Sequence, residues 1–389
     1  TAFGYGALRY NTTASNNTAL GKDALTANTT GTRNVAVGAT ALDANTTAND
    51  NIAIGYAALG VNTTGHSNTS IGVYSLDANT TANDNTAVGK YSLSSNTTGA
   101  SNTAIGGSAL ATNTTASNNT ALGYYALVAN TTGAERTAVG VASSYGSDTE
   151  SDNTVSVGYR AMYMNDATSA DATDSVAIGH SAMLADASTS ASLISNTAVG
   201  TDAIRIAANT TGAVSYNAAV GTQAMRFNAN TTGTVQYNAA LGYEALEIDA
   251  NTTGSVTNNV AVGHQALKSA SNTTGNVQYN VAVGSKALDI CIASSNTAVG
   301  NDALGACTTG ATNVAVGLNA GVDLTTGDNN TCLGPSAGND LTEGDQNVFV
   351  GYNVKPGGAT ESYQIVISTD QDSGKGASTA FIAPNGGSV

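Results

Sequence analysis

Residues 17–33 read NTALGKDALTANTTGTR and residues 34–50 read NVAVGATALDANTTAND. Set one above the other, they share a pattern: an Asn-initiated pentad closing on Gly, a Leu four residues later, then Asn-Thr-Thr. The pentad glycine recurs at 4, 21, 38, 55, 72, 89, 106, 123, 140, 158, 179, 200, 221, 242, 263, 284, 300, 317, 334 and 351. The first eight steps are 17 residues; one of 18, six of 21, one of 16 and three of 17 follow. A unit this short cannot bury its own apolar face and has to stack on its neighbours. The spacing therefore predicts an all-β solenoid of about 20 coils, one for each glycine.

Within a unit, NTALG alternates with a period of two, so Thr18 and Leu20 point one way while Ala19 and Gly21 point the other. In NVAVG and NIAIG the first set becomes Val35 and Val37, or Ile52 and Ile54. These β-branched residues are expected to line the coil interior. Ala and Gly would then form an outer face that a partner backbone can approach closely. DALTA at 23–27 reads as a second short strand carrying Leu25, and NTTG at 28–31 as the return turn.

Two columns of asparagine accompany the glycines. Asn11, Asn28, Asn45, Asn62, Asn79, Asn96, Asn113 and Asn130 each fall seven residues after a repeat glycine. In that register later coils carry Cys291, Cys307, Leu324 and Leu341, and the two leucine coils have Gly321 and Gly338 where the usual Leu stood. This volume exchange implies that both positions fill one interior layer. The Asn column is therefore read as an inward ladder of amides bonded from coil to coil. Every NTT is formally an N-glycan acceptor, but an inward Asn cannot carry a glycan. Asn17, Asn34, Asn51 and Asn68, continued by Asn85, Asn102 and Asn119, lie four residues before the glycine and predict a second ladder.

The steps divide the chain into a narrow roll at 1–140, an irregular joint at 141–157, a wide roll at 158–284, a second narrow roll at 285–351 and an exit segment at 352–389 toward a further domain. In the wide coils residues enter in pairs, as IRIAANTTGAVSYN (204–217) against LTANTTGTRN (25–34) shows, which preserves the facing of every side chain. The start, TAFG, lacks only the leading Asn of a pentad, so the sequence reads as a piece of a longer protein.

Chemistry is sparse. A formal charge of −15 opposes nucleic-acid binding, which needs a basic stripe. No apolar run approaches the ~18 residues of a membrane span. Asp43, Asp50, Asp77 and Asp84 read as solvated loop charges, as do the paired acids elsewhere. His66, His180 and His264 fall in separate coils without companions at ligand spacing, so no metal or cofactor is expected. No nucleophile, base and acid recur in a catalytic spacing, so the chain reads as non-enzymatic. Cys291 and Cys307 share a register on adjacent coils, near enough for a disulfide, although buried free thiols suit a reducing cytoplasm better. Tyr216, Tyr237 and Tyr279, five residues before their glycines with Asn258 between, form a stripe suited to packing against another chain or to carbohydrate.

The pentads NVAVG at 34–38, 259–263 and 313–317, NIAIG at 51–55 and SVAIG at 175–179 resemble the head repeat of YadA-like trimeric autotransporter adhesins. The resemblance covers residues 1–351 and implies a left-handed parallel β-roll, one repeat per coil, with three chains side by side. The NTTG turns, the GYxAL steps, GDNNTCLG at 327–334 and the tail ESYQIVIST…AFIAPNGG are more similar to tail-fibre proteins of marine tailed phages, cyanophages in particular. That similarity implies a structural and adhesive rod of a virion tail fibre, made in the host cytoplasm. Its partners would be two further copies of itself, other tail proteins and a host surface glycan or protein. The alternatives are a bacterial surface adhesin head and, further off, an ice- or glycan-binding solenoid.

Overall fold

Within each unit the complete pentads fold as three-residue strands, Thr18–Leu20, Val35–Val37 and Ile52–Ile54 among them, and each pairs in parallel with the strand one repeat later. The structure is a computed structural model that describes residues 1–146, 152–164, 172–186, 192–206, 210–227, 232–248, 253–269, 275–368 and 380–383. Among these it is all-β and holds no helix, its parallel strands stacked as a β-solenoid of about 19 turns. The chain forms two units, Thr1–Leu184 and Ala185–Val389.

The strand faces are the reverse of the sequence expectation. Ala19, Ala36, Ala53, Ser70 and Ala87 are buried, whereas Leu20, Ile52 and Ile54 are 45%, 37% and 38% exposed. The reason lies in the thinness of the coil. Leu25, Leu42 and Leu59, from the turn after each glycine, fill the interior, and the strand opposite has room only for a methyl or hydroxymethyl group. The buried apolar cluster along this part of the first unit consists of Ala and Leu alone. Outside, β-branched residues meet across neighbouring strands, Val35 beside Ile52 and Val37 beside Ile54, a favourable cross-strand pairing.

DALTA at 23–27 is not a strand. Asp23 and Leu25 both have φ of 54°, and the Leu of every narrow coil in the first unit is likewise left-handed. Left-handed backbone costs a non-glycine residue about 1 kcal/mol or more. It persists here because the backbone still pairs with both neighbouring coils: Asp23 N donates to Tyr5 O at 2.7 Å and Leu25 N to Ala41 O at 3.0 Å. The same geometry buries the whole Leu side chain.

Gly38 explains the repeat glycine. Its φ is 135°, and a Cβ there would collide with the carbonyl oxygen of Gly55 in the next coil. The corner therefore needs both glycine's dihedral and its lack of a side chain.

In the second unit the wide coils gain a strand on each side of the turn. Ile204–Ile206 pairs with Met225–Phe227, and Val214–Ser215, Val235–Gln236, Val256–Thr257 and Val277–Gln278 stack in sequence. Ile204, Ile206, Met225, Phe227, Leu246 and Ile248 are all buried. Much of the NTT return in these coils lies outside the described residues. So does part of the joint at 141–157, but Val155–Val157 still pairs in register with Thr137–Val139.

The segment after Gly351 does not leave the solenoid at once. Ile365–Ser368 pairs in parallel with Val348–Val350, and Ala380–Ala383 pairs with Ile365–Ser368. Gln364 stands where the second Asn column would continue, and its backbone N–H donates to Asn347 Oδ1 at 2.9 Å. The remainder of the expected exit segment, 369–379 and 384–389, lies outside the described residues.

Candidate interaction surface and buried ladders

The side chains that define the interior also define the surface. In the first column Asn28 Nδ2 donates to Asn11 Oδ1 at 3.0 Å, Asn45 to Asn28 at 2.9 Å and Asn62 to Asn45 at 3.3 Å. Asn79, Asn96, Asn113 and Asn130 continue the chain at 3.0, 3.2, 2.9 and 3.0 Å. Each amide also closes its own turn, as Asn28 Nδ2 does on Gly31 O at 3.0 Å. From Asn28 to Asn130 these side chains are buried, while Asn11 is half-buried. Buried in this way, the NTT asparagines from Asn28 to Asn130 offer no glycan acceptor in the folded coils.

The second column works differently. The Oδ1 of Asn17 accepts the backbone N–H of Asn34 at 2.8 Å, while Asn34 Nδ2 reaches forward to Ala48 O at 2.8 Å. Asn51 and Asn68 repeat this, and in the second unit Asn217, Asn238, Asn259 and Asn280 do the same. The column thus supplies an acceptor to each strand entry and a donor to each turn.

Three polar features carried too weak a sequence signal to be singled out. Six residues before the glycine, Asn49 Oδ1 accepts Thr32 N at 2.7 Å and Asn83 Oδ1 accepts His66 N at 2.9 Å; Asp328 and Asp345 accept in the same way. The visible trace was a bias to Asn, Asp and Ser at that register. Arg136 replaces Asn in the second column and is buried, donating to Asn130 Oδ1 at 3.0 Å, Thr154 Oγ1 at 3.1 Å and Ser144 Oγ at 2.7 Å. It ties off both ladders where the 18-residue step begins. In the second unit Glu244 and Glu247 are buried, not loop charges: Lys268 Nζ lies 2.6 Å from Glu244 and 2.8 Å from Glu247, and Arg226 lies 2.6 Å from Glu247.

The acids read as solvated divide. Asp50 is exposed and makes a two-pronged pair with Arg33 at 2.6 and 2.8 Å, which holds its carboxyl below the ordinary range. Asp43 and Asp77 are half-buried, and burial pushes both carboxyls up.

The interior column of the C-terminal coils holds Cys291, Cys307, Leu324 and Leu341, none of them exposed. Gly338 makes room for more than Leu341. A Cβ there would collide with Cys332 Sγ and come within 3.2 Å of Phe349 Cδ2, both on the inward strand column. Where the turn leucine is lost, the strand residue grows from Ala to Cys and Phe.

Outside, two features are available to a partner. Along the outward strand columns Leu20, Ile54, Leu122 and Ile178 in the first unit, and Leu241 and Leu333 in the second, are each at least 38% exposed. Tyr216 and Tyr237 stand with centroids 5.2 Å apart and planes within 5°, while exposed Asn258 separates them from Tyr279. All four residues share φ of 58–59° and are exposed. Two further stacks, Tyr159 with His180 at 5.3 Å and Tyr243 with His264 at 5.6 Å, follow the residue just after the glycine. Among the described residues no group of three or more His, Cys, Asp or Glu is placed to hold a metal ion. No protein-family model and no curated protein matches the chain.

Proposed function

We propose that the chain is a non-enzymatic structural and adhesive element of a tailed-phage tail fibre, a left-handed β-roll of which three copies pack side by side. The outward strand columns carry this reading. Monomers rarely leave a contiguous apolar row uncovered, and here Leu20, Val37 and Ile54 follow one another across paired strands. The stripe also repeats at the ~4.8 Å pitch of parallel strands, a spacing matched by another stacked parallel solenoid, and therefore by a second copy of the chain. The β-branched face, not the Ala face, is the surface available for that contact, because the alanines are buried.

Native mass measurement of the purified chain tests the assembly: three chain masses are expected, and a stable monomer at micromolar concentration overturns it. The pentads favour one second reading, the head of a bacterial trimeric autotransporter adhesin. The complete gene separates the two, because the adhesin requires an export signal upstream and a membrane anchor downstream.

A further inference from the structure

At the inward register seven residues after Gly284 and Gly300, Cys291 and Cys307 take the place of Asn. Their sulfurs lie 3.0 Å apart, and neither thiol is exposed. Ile292 N donates to Thr308 O at 2.9 Å, so the flanking backbones are adjacent rungs. Rungs stack at ~4.8 Å, inside the ~4.4–6.8 Å Cα range of disulfides, and bonding at ~2.0 Å needs the sulfurs to close by about 1 Å. Cys332 occupies a different column, the inward strand position between Ala315 and Phe349.

We propose that Cys291 and Cys307 are an oxidisable pair that a hydroperoxide converts to a disulfide, stapling two adjacent coils of the second unit. The inference stands on this geometry and is independent of the role proposed for the fibre.

The environment distinguishes the two sulfurs. Cys291 Sγ faces Cys307 and accepts from Asn296 Nδ2 at 3.6 Å, while Cys307 can also donate to Gly310 O at 3.3 Å. The contact with Cys307 draws the Cys291 thiol below its usual range against its burial, and the same contact together with burial pushes Cys307 up. Cys291, which accepts from Asn296 and faces the Cys307 sulfur, is therefore assigned as the attacking sulfur.

In the first step Cys291 sulfur attacks a peroxide oxygen. An S–O bond forms, the O–O bond breaks and the leaving hydroxide or alkoxide is protonated, giving a sulfenic acid. In the second step Cys307 sulfur attacks Cys291 sulfur. The S–S bond forms, the S–O bond breaks, and the departing hydroxide takes the Cys307 proton as water. Two thiols lose two electrons, and the peroxide gains them.

The test uses the full chain, reduced and desalted, with and without hydrogen peroxide, then unfolded in guanidinium with iodoacetamide for intact mass and peptide mapping. The reduced chain should take one label on each of its three cysteines; the oxidised chain should take one, at Cys332, with the peptides holding Cys291 and Cys307 joined. Three labels after peroxide, or a link to Cys332, overturns the proposal. A dimedone trap assigns the attacking sulfur: in Cys307→Ser the adduct is expected on Cys291. An unlabelled Cys291 in a Cys307→Ser chain whose circular dichroism matches the parent overturns that assignment.

Discussion

Asn45 donates its amide both to Asn28 Oδ1, at 2.9 Å, and to Ala48 O, at 3.2 Å, so one buried side chain closes its own turn and grips the preceding coil. Because each member donates back and accepts from the next, the column is a chain of buried polar groups without a spare partner along its length, and its members are costly to remove singly.

Asn62→Ala should accordingly destabilise the first unit by about 1–3 kcal/mol, because Asn79 Nδ2 loses its 3.0 Å acceptor and Asn45 Oδ1 its donor. Asn62→Leu alone should do worse, since Leu59 already occupies the layer. Adding Leu59→Gly imitates the exchange seen at Gly321 and Leu324 and should recover part of the loss. Guanidinium unfolding of the three variants gives the order; a double variant below the single one would remove the shared-layer argument.

Gly38→Ala sets dihedral and clash together. The new Cβ meets the backbone carbonyl of Gly55, so main chain and not a flexible side chain would have to shift, and a loss upward of about 3 kcal/mol is expected. Gly60→Ala is the control, because its Cβ would come no nearer than 3.4 Å to any atom and its φ is not left-handed. Its effect should stay within about 0.5 kcal/mol. Equal thermal midpoints for the two variants would contradict the role given to the repeat glycine.

How far the sequence could be read follows from these same residues. The repeat was legible because glycine at Gly38 answers a need that no other residue meets, and the Asn column because Cys and Leu replaced it with a compensating change at Gly321 and Gly338. The facing of the strand was misread. Val and Ile are ordinarily the core of an alternating strand, but here the core space belongs to Leu25 and its equivalents. Those leucines sit at φ near 50°, a conformation that Leu does not advertise. Arg136 and the Glu244–Lys268 pair were missed because a charge is read as solvated until the partners that bury it are known.

Facing can be tested directly. Ile54→Asp puts a charge on an outward position that is 38% exposed, so the coil should fold with its circular dichroism unchanged while self-association falls. Ala53→Val, one residue away and fully buried, should instead cost about 1–3 kcal/mol by overpacking. Native mass and thermal melting of both variants separate the effects. The reverse pattern, a destabilised Ile54→Asp and a neutral Ala53→Val, would restore the β-branched interior.

The buried ion cluster gives the second unit an acid-sensitive element. Burial alone would raise the Glu244 carboxyl, but hydrogen bonds from Gln265 at 2.9 Å, Lys268 at 2.6 Å and Tyr243 outweigh it and bring the pKa down to about 2. A carboxyl whose folded pKa is depressed contributes its stability above the unfolded value, ~4.3, and loses it as the pH falls toward the folded one. Lys268 is raised, its bonds to Glu244 and Glu247 prevailing over burial, so its contribution is present below ~10.4 and is lost only in stronger base. Stability from the cluster should therefore be level from about pH 5 to 10 and decline between about pH 4.5 and 2. Lys268→Met leaves Glu244 without its cation and Glu247, fully buried, with Arg226 at 2.6 Å. A loss of about 3 kcal/mol at pH 7 is expected. The acid decline should also flatten, because a Glu244 that is no longer depressed has less to lose on protonation. Guanidinium midpoints at pH 7, 4 and 3 for both proteins provide the comparison, and parallel lines would exclude Glu244 as the source of the decline.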